Sequence, residues 1–336
     1  MSVACAGILV ADLIAVDLPG VSRPGGITFV PDGIQMHAGG HAANVSIDLM
    51  GLGFRPGEVT CLGAVGRDLC GAYIEKTFAQ HRVAARLQRT NRAGTSIDLI
   101  LVVKNQDRRY HADIGANAFL DPSFVLRFVK RSRPALFYLG GAGLLAGLDA
   151  SLARVMKEAK DCGCLTFVDP VMPYGKSWGF LRKAMKWMDV FHCNDKEAQS
   201  LTGEARPAEA LGALRRQGIK LALVTKGRKG VVAASGARVV SMQAFRVKTR
   251  DPTGAGDAFC AGIIHRLARR LPPAGAPELV WTDQELAGIL LEAQAAGAAC
   301  VTGVGTTSAV RRKNVRALLA SQGAGLLRSA VFRSLR

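Results

Sequence analysis

The chain has 336 residues, 49% of them hydrophobic and 21% charged, with a formal net charge of +18. This composition excludes a disordered or low-complexity protein, and the length suits one large α/β domain or two smaller ones. No apolar run is long and uncharged enough to span a membrane. The N-terminal VACAGILVADLIAV is interrupted by Asp12 and has no basic leader, so it reads as a buried strand and not as a signal peptide.

In chain order, CAGILVADLI, EVTCLGAVG, ALFYLGG, CLTFVDP, DVFHCN and LALVTKG read as strands, several of them apolar enough to be buried on both faces. The segments ASLARVMKEAKDCG, PAEALGALRRQG and DQELAGILLEAQAAGAACVTG have helical patterns. This alternation predicts an α/β fold in one domain, a mostly parallel sheet with helices on both sides. Two segments break the rhythm. Residues 14–38 are rich in Gly and Pro and contain ITFV and GIQMHA; residues 94–113 read as a hairpin turning at Lys104–Arg108. They suggest a small β-flap that closes over a site.

The eight cysteines include no CxxC pair and read as buried thiols of a reducing cytoplasm. Residues 311–336 carry seven basic and no acidic side chains. Such a basic tail is either a solvated helix face with a frayed end or, less in keeping with the few aromatics, a nucleic-acid contact.

Open α/β sheets bind ligands at the carboxyl ends of their strands, so the loops there carry the chemistry. In DPTGAGDAFCAGII (251–264), Gly254, Ala255 and Gly256 leave almost no side-chain bulk before a run with apolar residues at Phe259, Ile263, Leu267 and Leu271. That is a helix start, where free N–H groups favour an anion; Asp257 serves there as a cap or in a site. Asn194 and Glu197 follow DVFHC at a spacing that suits either a hydrated Mg²⁺ or a capping box. Thr225, Lys226, Gly227 and Gly230 follow LALV and suit a polyphosphate or a basic turn. Gly39, Gly40 and Asn44 suit a polyhydroxylated ligand or a helix packed tightly on a sheet. Two rival nucleotide motifs exist. The Walker-type ending Gly175-Lys176-Ser177 lacks its first glycine, because Pro170 stands there. A dinucleotide fingerprint at Gly141–Ala146 follows the strand ALFYL and allows a nicotinamide-dependent oxidoreductase.

Together these motifs resemble the pfkB (ribokinase-like) carbohydrate kinase family, in the right order and over nearly the whole chain. Gly39-Gly40 through Gly53, continuing to Gly63–Asp68, is similar to its N-terminal signature; Asn194/Glu197 to its NxxE element; Val224–Gly230 to its nucleotide loop; and DPTGAGDAFCAG to its C-terminal signature. The resemblance implies a three-layer Rossmann-type domain with a small β-sheet lid and transfer of the γ-phosphoryl group of Mg-ATP to a hydroxyl. It implies Asp257 as general base, with Gly254, Ala255 and Gly256 as an anion hole. Asn194, Thr225, Lys226, Gly227 and Gly230 would bind ATP, and Asp12, Gly39, Gly40 and Asn44 the acceptor. Glu197 would hold Mg²⁺ through water, and Asp169 would point into the same region. Asp251 matches a position that binds a monovalent cation such as K⁺ in many relatives. Members often pair as homodimers through their lids. Three departures argue against ribose: Val10 where ribose kinases carry asparagine, His41 in place of lysine, and no glutamate near Gly140–Gly141. Another sugar, a sugar acid, a cyclic polyol or a nucleoside remains, and Phe29 and Met36 would pack a nucleoside base.

Overall fold

The computed structural model describes residues 2–104, 106, 108–270, 279 and 281–335. Ten strands form one sheet. In chain order they are β1 (Val3–Gly7), β4 (Val59–Gly66), β5 (Ala84–Thr90), β8 (Leu136–Ala142), β9 (Leu165–Pro170), β10 (Val190–Asn194), β11 (Leu221–Thr225), β12 (Val231–Ser235), β13 (Arg238–Met242) and β14 (Val331–Ser334). The remaining four, β2 (Val10–Leu18), β3 (Ile34–Gly39), β6 (Ile97–Val103) and β7 (Arg109–Ala112), form a separate small sheet. The large sheet runs β14-β13-β12-β11-β10-β9-β8-β1-β4-β5, parallel from β11 to β5 and antiparallel from β11 to β14.

Burial explains the apolar strands. Every residue of β1, β8 and β9 is buried, because helices cover both faces. Ala4, Phe137 and Leu139 point to one side, against the helices Pro122–Ser132, Leu152–Asp161 and Pro207–Arg216. Val3, Cys5 and Tyr138 point to the other, against His41–Leu52, Ala255–Ala268 and Asp283–Cys300. All eight cysteines are free and six are buried.

CAGILVADLI is not one strand. The chain leaves the large sheet after Gly7 and enters the small one at Val10. Asn117 holds the break open: its Oδ1 accepts from Leu9 N at 3.0 Å and its Nδ2 donates to Leu9 O at 2.9 Å. The small sheet therefore begins at Val10, and GIQMHA pairs with Val10–Ala15, not with ITFV, which is an exposed non-strand segment before Pro31. The basic end also differs from a frayed tail. Residues Arg312–Leu318 form a helix whose Val315 is buried in the core, and β14 pairs with β13. The segment AVFRSL completes the sheet edge; its apolar and polar residues do not alternate, so no local pattern announces this strand. Leu271 of the expected helix face, and residues 105 and 107 of the expected hairpin turn, lie outside the described residues.

The small sheet has two unlike faces. Side chains alternate along a strand, so Leu13, Ile34, Met36, Leu99 and Leu101 share one face, and Asp12, Gln35, His37, Asp98 and Ile100 the other. Ile34, Met36 and Leu99 are exposed, whereas Asp12 is 4% exposed. The polar face thus looks inward, onto the carboxyl ends of the large sheet.

Candidate active site

Asp169, Asn194 and Thr225 end three adjacent parallel strands, and Asn194 lies directly opposite Thr225. The helix Ala255–Ala268 starts beside them. Gly254, its cap, has φ 79°, and a Cβ there would lie 2.7 Å from Thr306 O, so only glycine fits. The first amide bonded back to the turn is that of Ala258, which donates to Gly254 O at 2.9 Å. The N–H groups of Ala255, Gly256 and Asp257 have no backbone acceptor among the described residues.

Asp257 stands in this first turn, 8% exposed. Asn44 Nδ2 donates to its Oδ2 at 2.7 Å, and Thr306 Oγ1 donates to Asn44 Oδ1 at 2.6 Å. Burial pushes the Asp257 carboxyl above its ordinary range; Asp169 adds to this, while His41, the Asn44 hydrogen bond and His192 oppose it. The sequence assigned Asn44 to the ligand; in the fold its side chain is bonded to Asp257 and to Thr306.

A second polar group lies behind the first. His192 Nδ1 is 2.8 Å from Asp169 Oδ1, and His192 Nε2 is 3.1 Å from Thr225 Oγ1. The Tyr138 hydroxyl and the Cys260 thiol donate to Asp169 Oδ2 at 3.1 and 3.3 Å. Burial acts against both charges, but the His192–Asp169 attraction outweighs it, holding the carboxyl below and the imidazole above their usual ranges. Ligand atoms of His41, Asp169 and Asp257 approach within 4.8 Å, as do those of Asp169, His192 and Cys260.

The remaining expected residues fall into place unevenly. Asn194 Oδ1 accepts from Glu197 N and Glu197 Oε2 from Asn194 N, both at 2.9 Å, a complete capping box. Glu197 Oε1 takes no part in that box. Gly227 has nothing within 4 Å of a Cβ position, but at Gly230 a Cβ would lie 2.0 Å from Met242 O. Gly227 is thus open to a ligand, whereas Gly230 is required by the packing of β12. Asp251 accepts from Thr253 N, Thr253 Oγ1 and Gly305 N at 2.9, 2.6 and 3.0 Å, so it ties the loop before the anion hole to residue 305. Gly39 leaves room for Asp12, since a Cβ there would lie 1.8 Å from Asp12 Oδ2. Phe29 is 82% exposed, and Met36 lies on the outer face, so neither lines the site.

The dinucleotide alternative fails on its own backbone. Asp149 already accepts from Gly143 N and Leu145 N, at 3.1 and 3.0 Å, and Lys176 Nζ binds the same carboxylate at 2.5 Å. The amides a pyrophosphate would need are taken, and the helix that follows has only four residues.

A family model described as pfkB family carbohydrate kinase matches residues 1–313. The chain belongs to this family. As a pfkB kinase it is 27% identical over 286 residues to the aminoimidazole riboside kinase of Salmonella typhimurium, covering 81% of this chain and 84% of that one. The structure of fructokinase with bound ATP from Xylella fastidiosa superposes with a TM-score of 0.81 at 22% identity, covering 96% of this chain and 99% of that one. Arabidopsis thaliana ribokinase, complexed with ribose and ATP, gives 0.76 at 21% identity, with 95% and 98% covered. The fold is ribokinase-like, and the protein is a carbohydrate or nucleoside kinase. Among the described residues, no helix is long and apolar enough to cross a membrane.

Sequence reasoning missed His192, Tyr138, Thr306, His37 and Asp98. His192 did leave a signal, an ionisable side chain inside the apolar strand VFHC. Thr306 left none, because only the fold brings it to Asn44.

Proposed function

We propose that this pfkB kinase transfers the γ-phosphoryl group of ATP to a hydroxyl of a sugar, polyol or nucleoside, with Asp257 as general base. One observation carries the reading. A buried carboxylate, fixed by Asn44, stands in the same helical turn as three backbone N–H groups with no backbone acceptor. Phosphoryl transfer needs this pairing: donors for the charge on the transferred group, and a base for the acceptor proton. Burial raises the proton affinity of Asp257, which favours proton uptake as the new P–O bond forms.

Thr225, Lys226 and Gly227 would face the nucleotide, with Asn194 at the end of the neighbouring strand. Gly230 would contribute by shaping the turn. Mg²⁺ would neutralise charge on the ATP phosphates, and Glu197 Oε1 with bound water would hold it, which fits an ion that keeps most of its waters. Asp251 would couple a monovalent cation to the anion hole; equal activity in K⁺-free and K⁺-containing buffer would remove that role. Asp12, Gly39 and Gly40 would line the acceptor side under the small sheet, which would act as a lid against water. The exposed outer face of that sheet, with Ile34, Met36 and Leu99, supports pairing of two copies, checked by sedimentation.

The test is ADP formation from Mg-ATP across sugars, polyols and nucleosides, with Asp257→Ala as control. Turnover with an acceptor that the control abolishes is the expected result. Absence of ATP binding would sink the kinase reading.

A further inference from the structure

The acceptor side carries an unusual charge arrangement. Asp12 and Asp98 are direct neighbours on the parallel strands β2 and β6, on the inward face of the small sheet. Neighbouring strands of a sheet lie about 5 Å apart, so the two side chains stand next to each other on one face. Asp12 is 4% exposed and makes no hydrogen bond to another described residue. After burial, the groups that act on it are all carboxylates, Asp98, Asp257 and Asp251, and all of them drive its proton affinity well up. Asp98 is half-buried and is pushed up to about 6 by burial and by Asp113, against the pull of His41.

The bases nearby do not pair with Asp12. His37 lies opposite it on β3, but its Nε2 faces Gln35 Oε1 at 3.0 Å, and burial lowers its basicity. His41 is pulled by several carboxylates, Asp257 before Asp169, Glu197 and Asp98. Two carboxylates left together in this way repel each other and any anion, and they attract hydrogen-bond donors and cations.

This deepens the kinase reading and rests on it. We propose that the acceptor is a polyhydroxylated molecule bearing a cationic nitrogen, such as an amino sugar or amino polyol, with that nitrogen seated between Asp12 and Asp98. Asp98 selects it, and acceptors bearing phosphate or carboxylate are rejected.

The experiment uses matched sets: glucose, glucosamine and glucose 6-phosphate; fructose, 1-amino-1-deoxyfructose and fructose 6-phosphate. Binding to the full chain is measured by calorimetry with and without a non-hydrolysable ATP analogue, and turnover by ADP release. In at least one set, the amino form should bind about tenfold more tightly than the neutral form, and the phosphate not at all. Asp98→Asn should remove that preference while leaving ATP affinity unchanged. Asp98→Lys should shift preference toward the phosphate, which a loss of folding would not produce. The proposal falls if a phosphate binds best, if no amino form is favoured or bound, or if Asp98→Asn weakens all members of a set equally. ATP binding is read in the same cell: if it is normal while amino forms are ignored, only the acceptor proposal fails. If ATP does not bind, the kinase reading fails instead.

Discussion

Two polar clusters flank Asp257, and they are built on opposite principles. Behind it, Asp169 is paired with His192 and further bonded by Tyr138 and Cys260, and His192 reaches on to Thr225. In front of it, Asp12 and Asp98 face each other with no base bonded to either. The first cluster is complete in the resting fold and connects Asp169 to Thr225 through His192. The second is incomplete by itself. A buried group without a partner costs stability, and such a cost persists where a ligand completes the site. The comparison separates the polar groups that the fold itself satisfies from those that it leaves open, which under the proposed function are the nucleotide side and the acceptor side.

The largest effect belongs to the residue between the two clusters. Asp257→Asn should lower kcat by about 10²–10⁴-fold, the usual contribution of general-base help, with ATP affinity unchanged. Steady-state kinetics with calorimetric ATP binding would show this; near-normal turnover would mean another group takes the proton.

The completed cluster should fail next. His192→Ala strands the Asp169 charge among Tyr138 and Cys260, and breaking a buried pair in this way costs about 3–5 kcal/mol. Denaturant unfolding checks the figure. Adding Asp169→Asn should recover part of the loss, because neighbours in one network are not additive.

A third carboxylate sharpens the contrast. Asp48 is 0% exposed, and neither of its oxygens has a hydrogen-bond partner among the described residues. It lies one helical turn beyond Asn44, and nothing in the fold gives it the ligand-facing position of Asp12. Asp48→Leu, similar in volume, should therefore stabilise the protein by about 1–3 kcal/mol at pH 8, since it removes a buried polar group that nothing satisfies. Destabilisation in the same unfolding assay would show that the carboxylate has a partner after all.

The smallest effect is the pH dependence of the open pair. The Asp98 pKa is raised from 3.8 to about 6 in the fold. A raised carboxylate leaves stability intact below its unfolded pKa and loses it as pH rises through the folded value. The window is therefore about pH 4 to 6, and the loss about 1 kcal/mol once solvent screening of a half-buried group is allowed for. Thermal unfolding between pH 4 and 7 should show this decline in the native chain and a shallower one in Asp98→Asn. Equal slopes would mean that burial and Asp113 do not raise the Asp98 carboxyl in the fold.

Sequence by itself determined the family, the mostly parallel character of the sheet, and the position of the helix start at Gly254–Asp257. Each is written in local terms: apolar runs for buried strands, small residues for a close turn, and signatures contiguous along the chain. Roles that depend on distant segments were decided only by the tertiary structure. Asn44 orients Asp257 across 213 residues of chain, with Thr306 bonded to its other side. Gly39 makes room for the Asp12 carboxylate, and Met36 faces outward because the small sheet starts at Val10 and sets the alternation. Asp12 was visible as a candidate, but its neighbour Asp98 was not, since the register of a parallel pair is carried by the fold and not by either strand. Periodicity shows which face a residue takes within its own element; which charge stands opposite it depends on how the elements are assembled.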